Sequence, residues 1–407
     1  TRSLRDWSSD VCSSDLLIVT AAFVGPGTVT TASLAGANFG FALIWALVFS
    51  VLTTVLLQNM SAKLGIVSKS GIAEAIRTSI SNPVARFIAI ALIVSAIGIG
   101  NAAYQGGNIL GAAVAGSILL DLSTTTLALV IALIAFCLLM SAQYRLIERA
   151  LITLVLAMSF VFIAAMVVYP PNIQALLSGL LPSDLSSSSS LMAIALIGTT
   201  VVPYNLFLHA KSASEKWSEV DTDQALREAK RDTRLSIGLG GLVTLAIMST
   251  AMSAFFNTQI AINTATIGEQ LEPLLGASAK YFFACGLMAA GLTSAITAPL
   301  AAAYAVTGAL GWNASLDSLR FRLCWLVVLL AGTLVAYSGA KPLVAILFAQ
   351  ATNGLILPFI AISLLWVMNN DAIMGEHRNK PQENILAVLA VLVTLSLGGY
   401  KLYTLFV

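Results

Sequence analysis

The chain has 407 residues, of which 58% are hydrophobic and only 10% are charged, and its formal net charge is +2. A soluble domain carries roughly 45–50% apolar and about 25% charged residues. This chain could not cover itself with a polar surface in water, so the composition excludes an ordinary soluble domain. The small net charge gives no electrostatic reason to expect a nucleic-acid partner. The expected fold class is an all-α protein embedded in a lipid bilayer.

The first residues differ from the rest of the chain. Residues 1–15 lack an initiator Met, are rich in Ser and Asp, and change abruptly to an apolar sequence at Leu16. They look like translated adapter or vector sequence, so we expect a foreign tail rather than folded structure. Residues 16–407 are then expected to form a single transmembrane domain.

Eleven apolar stretches follow one another along this domain, most of them near the length of about 20 residues that crosses the hydrocarbon core. They lie at 16–36, 41–61, 85–112, 124–142, 148–169, 190–210, 235–256, 277–310, 321–338, 342–368 and 384–405. The charged segment from Lys211 to Arg234 is predicted to be a solvated connector with a helical turn or two.

Lysine and arginine positions predict the orientation of these spans. With the N-terminus in the cytoplasm, sixteen of these residues fall in inner loops and only Lys280, Lys341 and Lys401 fall outside, with Arg2 and Arg5 in the tail. Cytoplasmic loops of membrane proteins carry an excess of Lys and Arg. We therefore expect a multi-pass protein of the bacterial plasma (inner) membrane with a cytoplasmic N-terminus.

Two apolar spans are interrupted by helix-breaking residues. The first span contains Gly25-Pro26-Gly27, and the sixth contains Pro203. Proline removes a backbone donor, glycine lowers helicity, and opened backbone at membrane depth must be satisfied by protein or water. A single proline kink is common in membrane helices and binds nothing. Breaks in spans one and six, the equivalent members of two five-helix halves, instead predict a secondary transporter with a site at the midplane.

The two halves are predicted to be inverted repeats, at about 16–169 and about 190–368, followed by an extra helix at about 384–405. Amides and carbonyls exposed at the four half-helix ends would then bind an ion or a polar solute. An enzyme would show His, Glu, Asp or Ser side chains that converge at one depth, and the sequence has no such pattern. We therefore predict a transporter, with no enzymatic activity and no cofactor.

Several motifs carry a family resemblance. They are Gly36-Ala37-Asn38-Phe39-Gly40-Phe41-Ala42-Leu43-Ile44-Trp45, Leu57-Gln58-Asn59-Met60-Ser61-Ala62-Lys63-Leu64-Gly65-Ile66-Val67, Pro203-Tyr204-Asn205-Leu206-Phe207-Leu208-His209, Asp232-Thr233 and Leu357-Pro358-Phe359. Together they resemble the Nramp family of proton-coupled divalent metal transporters, over essentially everything from Leu16 onward. The resemblance implies a LeuT-like 5+5 inverted repeat with broken helices 1 and 6.

The resemblance also implies a substrate site at the two breaks, although this chain departs from the family there. Relatives have Asp-Pro-Gly-Asn and Met-Pro-His where this chain has Gly25-Pro26-Gly27-Thr28 and Val202-Pro203-Tyr204. The implied substrate-binding residues are Ala22, Gly25, Thr28, Thr199, Val202, Tyr204, Asn205 and Gln350. Among them, the carbonyls of Ala22 and Thr199 and the hydroxyl of Thr28 are the implied metal ligands.

Candidates for a proton pathway come from the third and sixth spans. Relatives carry acidic residues in the third span, where this chain has Gln105 and Asn108, and His209 is retained in the sixth. Each also has a plainer interpretation. Amides such as Asn108 and Gln350 often only join neighbouring helices, and a lone histidine often only satisfies local hydrogen bonds.

The chemistry of the site separates two functions. From Leu16 onward no Asp or Glu falls in the middle of a span. A doubly charged ion in a low-dielectric site needs negative charge or an extensive oxygen cage, and without the methionine sulfur a preference for soft ions is lost. The expected substrate is a divalent cation, of the Mn and Fe class or a harder ion such as Mg, with coupling to protons left open. The alternative is a transporter of the same fold that has lost metal binding and moves a monovalent ion or a small polar organic solute.

Overall fold

The computed structural model describes residues 24–141, 145–182, 186–258, 260, 262–264, 266–312 and 315–406, and every regular element there is a helix. The α-helices are α1 (Pro26–Phe39), α2 (Ile44–Ser68), α3 (Ile72–Ser79), α4 (Pro83–Leu120), α5 (Thr124–Ser141), α6 (Arg145–Val168), α7 (Ile173–Ser178), α8 (Ser187–Thr200), α9 (Pro203–Lys216), α10 (Thr222–Phe255), α11 (Glu272–Leu275), α12 (Ala279–Leu310), α13 (Leu319–Tyr337), α14 (Pro342–Met368), α15 (Asp371–Met374) and α16 (Pro381–Phe406). Short 3-10 helices cover Ile267–Leu271, Gly276–Ser278 and Gly375–His377.

Ten helical segments in the described ranges are long and apolar enough to cross a membrane. They coincide with the second to the eleventh predicted spans, with α8 and α9 together forming the sixth. The first predicted span begins in residues outside the described ranges, and its second half is α1. The expected fold class, an all-α membrane protein with these spans, is confirmed.

One connector differs from its prediction. The charged segment between the sixth and seventh spans is almost entirely helical, because α9 continues to Lys216 and α10 already begins at Thr222. Asp221 caps the N-terminus of α10 by accepting a hydrogen bond from the Gln224 amide at 3.2 Å. An ion pair between Lys216 and Asp232 (3.1 Å) then holds the two helices together, so the predicted solvated connector is a helix corner instead.

The helices pack around the long helix α4, which contacts α12, α13 and α14 along much of its length. The broken sixth span lies between other elements: α8 packs on α14 and α9 packs on α2, while α1 packs on α10. Gly198 and Gly354 allow α8 and α14 to approach so closely that a Cβ on Gly198 would lie 3.0 Å from the Gly354 Cα. Large apolar side chains such as Phe87, Phe160 and Leu334 remain exposed, as expected of faces turned to lipid.

Candidate functional site

The sixth span is broken where the sequence predicts it. Helix α8 ends at Thr200, Val201 and Val202 are not helical, and α9 starts with Pro203 as its first residue. Proline is favoured at the first helical position because its missing N–H is not needed there. Helix α1 starts in the same way, with Pro26 as its first residue and Gly25 before it. Neither Gly25 nor Val202 caps its helix with a side-chain hydrogen bond.

The two half-helices meet through a pair of threonines. The Thr28 hydroxyl lies 3.1 Å from the Thr199 hydroxyl, and both side chains are 2% exposed. Thr28 belongs to the first turn of α1 and Thr199 to the last turn of α8, so the contact joins the two breaks directly. Ala22, the remaining implied metal ligand, lies outside the described residues.

Gln350 of α14 is the third group at this junction. The Gln350 side chain occupies the space beside Gly27 where a larger residue would have its Cβ. A Cβ on Gly27 would lie 2.5 Å from the Gln350 Cδ and 2.9 Å from its Oε1. On the other side, the Gln350 carbonyl oxygen lies against Gly198 of α8. The Gln350 side chain is 1% exposed, and its Oε1 has no hydrogen-bond partner among the described residues. A buried carbonyl oxygen without a donor is costly, which makes it available to a ligand.

Gly25 is surrounded by two hydroxyls that sequence reasoning did not identify. A Cβ at this position would lie 3.2 Å from the Ser294 Oγ of α12 and 3.7 Å from the Tyr104 phenol oxygen of α4. The only sequence signal was indirect: Tyr104 adjoins Gln105, which the resemblance singles out. Ser294 is one of several hydroxyl residues in an apolar span, and nothing in the sequence distinguishes it from Thr293 or Thr297.

Val202 and Tyr204 are buried in a small cluster with Tyr104, Ala298 and Ala301. The rings of Tyr104 and Tyr204 meet edge to face, with their centroids 5.3 Å apart. Asn205 is only partly buried. Its backbone N–H donates to the Val202 carbonyl at 3.1 Å in the first turn of α9. Within the described part of the predicted set, the structure therefore brings Gly25, Thr28, Thr199 and Gln350 together, with Val202 and Tyr204 adjoining them.

The three proton-pathway candidates all have protein partners. Gln105 donates through Nε2 to the Ala295 carbonyl at 2.9 Å, and Asn108 donates to the Gln105 Oε1 at 3.4 Å. His209 Nδ1 is hydrogen-bonded to Gln58 Oε1. Carboxamides neither gain nor lose a proton near neutral pH, so Gln105 acts here as a link between α4 and α12, and Asn108 bonds to Gln105 within α4.

The site carries no formal charge. Apart from tyrosine and tryptophan, all buried polar side chains in the described ranges are Ser, Thr, Asn or Gln. The same residues contain no group of three or more His, Cys, Asp or Glu side chains that could hold a metal. The described junction contains only neutral oxygen ligands. They are the hydroxyls of Thr28, Thr199, Ser294 and Tyr104, the side-chain carbonyl of Gln350, and the backbone carbonyls at the breaks in the helices.

A cavity of about 240 Å³ opens at one end of the bundle, lined by α3, α9 and α12. This is the basic end, where Lys63, Arg77, Lys211 and Lys216 lie. Along α12 the cavity begins at Tyr304, one turn after Ala301, and along α9 it begins at Phe207, one turn after Tyr204. The pair of tyrosine rings therefore stands between Gly25 and the cavity.

At the opposite end, the 3-10 helix Ile267–Leu271 packs on α10 and α12 and is bonded to α1 through Gln270. Its Gln270 is 2% exposed and donates through Nε2 to the Ser33 hydroxyl at 2.9 Å. The Gln270 Oε1 accepts a hydrogen bond from Thr250 of α10 at 3.2 Å. Opening of the bundle at this end would require these contacts to break.

A bundle with a discontinuous sixth span, and with polar groups at the break, is the architecture of multi-pass secondary transporters. Solved transporter structures share this fold. The Eremococcus coleocola manganese transporter matches with a TM-score of 0.76 and 22% identity, over 98% of this chain and 87% of that one. Mhp1, a nucleobase-cation-symport-1 family transporter, matches with a TM-score of 0.60 and 13% identity, over 96% of this chain and 92% of that one.

The family follows from the sequence match. The family model described as natural resistance-associated macrophage protein-like (Nramp) matches residues 16–404, so the chain belongs to the Nramp family. Relatives include the divalent metal cation transporter MntH of Deinococcus radiodurans, 27% identical over 96% of this chain and 88% of that protein. MntH of Staphylococcus aureus strain JH9 is 28% identical over 94% of this chain and 89% of that protein. The predicted family, and the prediction of a transporter rather than an enzyme, are confirmed.

Proposed function

We propose that this protein moves a divalent metal cation across the bacterial plasma membrane, through the junction of α1, α8 and α14. The observation that carries the proposal is the buried threonine pair, Thr28 and Thr199, beside the unpartnered oxygen of Gln350. Polar groups at the meeting point of two discontinuous helices bind the substrate in transporters of this architecture. The MntH relatives, named as divalent metal cation transporters, support the same substrate class.

Within that class we propose a hard ion of the Mg²⁺ type ahead of Mn²⁺ or Fe²⁺. Neutral oxygen ligands suit hard cations, whereas thioether and imidazole ligands favour softer transition metals. The described junction offers oxygen atoms and no sulfur. Mg²⁺ also keeps several of its waters when bound, so it needs fewer protein ligands than a fully dehydrated ion would. Partial hydration reduces the cost of placing a divalent ion in a site without a carboxylate.

We also propose that transport follows the electrochemical gradient of the ion without coupled protons. The Gln105 side chain donates to α12, the Asn108 side chain donates to Gln105, and His209 is hydrogen-bonded to Gln58. None of these contacts joins His209 to the threonine pair. The distribution of Lys and Arg along the chain supports an orientation with the basic end in the cytoplasm.

Uptake into liposomes tests this proposal. Protein beginning at Leu16 with an added start would be reconstituted around dyes that report Mg²⁺ and Mn²⁺. We expect entry of both ions above empty liposomes, with Mg²⁺ favoured. Thr28→Val, which keeps the shape and removes the hydroxyl, should abolish uptake at normal expression.

Thr244→Val is the matched control. The Thr244 hydroxyl is also buried but bonds to the Gly240 carbonyl inside its own helix at 2.9 Å, so uptake should stay near the parent level. Full activity of Thr28→Val would place the substrate elsewhere. Folded protein that passes neither ion would overturn the metal proposal in favour of a monovalent ion or a small polar organic solute.

A further inference from the structure

We propose that Ser294 and Tyr104 contact the transported cation and take the place of the side chain that Gly25 lacks. The inference rests on the proposed function and names two more residues of the same site. It starts from Gly25, the residue before the uncapped end of α1. Two hydroxyls from two other helices point at the position where a larger residue would have its Cβ, at 3.2 Å for Ser294 and 3.7 Å for Tyr104.

The hydrogen bonding of Ser294 is unusual for a hydroxyl in a membrane helix. Such hydroxyls commonly donate to a carbonyl one turn earlier in their own helix. On α12, Thr293 does so to Ala289, Thr297 to Thr293, and Thr307 to Ala303. The Ser294 hydroxyl makes no such bond and has no other partner within the described part of the chain. It therefore has both its donor and its acceptor capacity available at Gly25.

Ser294 is also partly exposed although it lies midway along α12, between the buried residues Leu292 and Ala295. The Ser294 hydroxyl faces Gly25 of α1, so this exposure indicates open space inside the bundle rather than contact with lipid. A hydroxyl with no bond to its own helix, turned toward internal space beside an uncapped helix end, is available to a bound ion.

Tyr104 is held rigidly in its position. Its side chain is 4% exposed, its ring meets that of Tyr204 edge to face, and Ala298 and Ala301 belong to the same buried cluster. Edge-to-face packing of this kind fixes the ring plane. The phenol oxygen is thereby fixed 3.7 Å from the Cβ position of Gly25 and cannot swing away without breaking the cluster.

The combined set explains how a site without a carboxylate could bind a divalent ion. Thr28 and Thr199 supply hydroxyls from α1 and α8, Ser294 and Tyr104 supply them from α12 and α4, and Gln350 adds a carbonyl from α14. Several neutral oxygens can replace part of the hydration shell of a hard cation, although each attracts it less than a carboxylate would. Selectivity would then depend on the number of hydroxyls that reach the ion.

Removal of single oxygen atoms tests the two residues. Ser294→Ala and Tyr104→Phe should each raise the apparent KM for Mg²⁺ about tenfold, equivalent to ~1.4 kcal/mol. Ser294→Ala should keep a melting temperature close to that of the parent, whereas Tyr104→Phe also removes the hydrogen bond between the Tyr104 and Tyr204 hydroxyls. Thr293→Val is the matched control, since it removes the neighbouring hydroxyl of α12 that bonds within its helix. Its KM should not change.

A gain of function provides the second measurement. Ser294→Cys places a soft thiol at the same point and should increase the ratio of Cd²⁺ to Mg²⁺ uptake at least tenfold, because soft ligands favour soft ions. Thr293→Cys should leave the ratio as in the parent. A raised ratio supports the inference even where the total rate is lower.

Failure of the inference and failure of the proposed function are distinguishable. Unchanged KM in Ser294→Ala and Tyr104→Phe, with an unchanged ion ratio in Ser294→Cys, would overturn the role of these two residues. If Thr28→Val is inactive in the same assays, the site at the helix junction stands without them. If Thr28→Val also transports normally, the proposed site itself is wrong.

Discussion

Single glycines decide the shape of the junction. Gly25 makes room for two hydroxyls, and Gly27 makes room for the Gln350 side chain. Gly25 precedes α1 and Gly27 lies in its first turn, where a side chain would project into the space of the proposed site. The absence of side chains at these two positions therefore matters as much as the chemistry of the residues that surround them.

Gly27→Ala tests the steric part of this argument. Its Cβ would overlap the Gln350 amide, whose Cδ would be only 2.5 Å away, so the end of the Gln350 side chain must shift from its position. Forcing extra volume into packed sites typically costs about 1–3 kcal/mol, and we expect uptake to fall at least tenfold. Gly71→Ala is the control, because nothing lies within 4 Å of a Cβ there. Normal uptake by Gly27→Ala would contradict the assigned place of Gln350.

At this scale the sequence predicts part of the site. Thr28, Thr199 and Gln350 were identified through the resemblance, and the structure brings them together. The resemblance singles out the Thr199 carbonyl, whereas Thr199 meets Thr28 through its hydroxyl. Ser294 and Tyr104 were missed for a physical reason. Helices buried on most sides lack the polar and apolar faces that reveal orientation in a surface helix, so hydropathy cannot tell which hydroxyl points inward.

Helices of the bundle are positioned by close backbone contacts. The contact of α8 with α14 is the tightest next to the site, and it brings Thr199 and Gln350 to the same depth. Gly198 and Gly354 allow it, since either Cβ would meet backbone atoms of the other helix. Small residues that let helices approach are the usual means of packing in membranes.

Gly198→Ala should separate these two helices. We expect a loss of about 1–3 kcal/mol of stability, the usual cost of overpacking, read as a lower melting temperature in detergent. Gly238→Ala is the matched control in α10, as an added Cβ there has nothing within 4 Å. It should be neutral or slightly stabilising because alanine is the better helix former. Equal stability of both variants would mean that α8 and α14 can separate without cost.

The apolar spans were predictable as helices, whereas the ends of the helices and the short helices between the spans were not. Hydropathy found the spans because a helix must satisfy its backbone inside the bilayer. It could not place the start of α10, which lies thirteen residues before the predicted start of the seventh span, at Thr222 instead of 235. That extension is charged and lies beyond the apolar window, so its helicity depends on the Asp221 cap and the Lys216–Asp232 ion pair.

For the whole molecule, the neutral interior predicts how transport responds to pH. With no buried carboxylate among the described residues, Mg²⁺ uptake should vary less than about twofold between roughly pH 5.5 and 8, the range in which an ordinary histidine titrates. A pH-sensitive dye inside the liposomes should show no proton entry during uptake. Proton entry that disappears in His209→Gln would contradict this and restore a coupled mechanism.

The proposed binding site, made only of neutral groups, also has an electrical consequence. When the carrier returns without cargo, the described interior has no charge to move, so this step should be insensitive to voltage. When it carries a divalent ion, two charges cross, worth about 4.6 kcal/mol per 100 mV. An interior-negative membrane would thus drive accumulation by itself. At a saturating ion concentration and a large membrane potential, the transport current should therefore reach a plateau. The rate at which the unloaded protein returns, which does not depend on voltage, would set the height of that plateau.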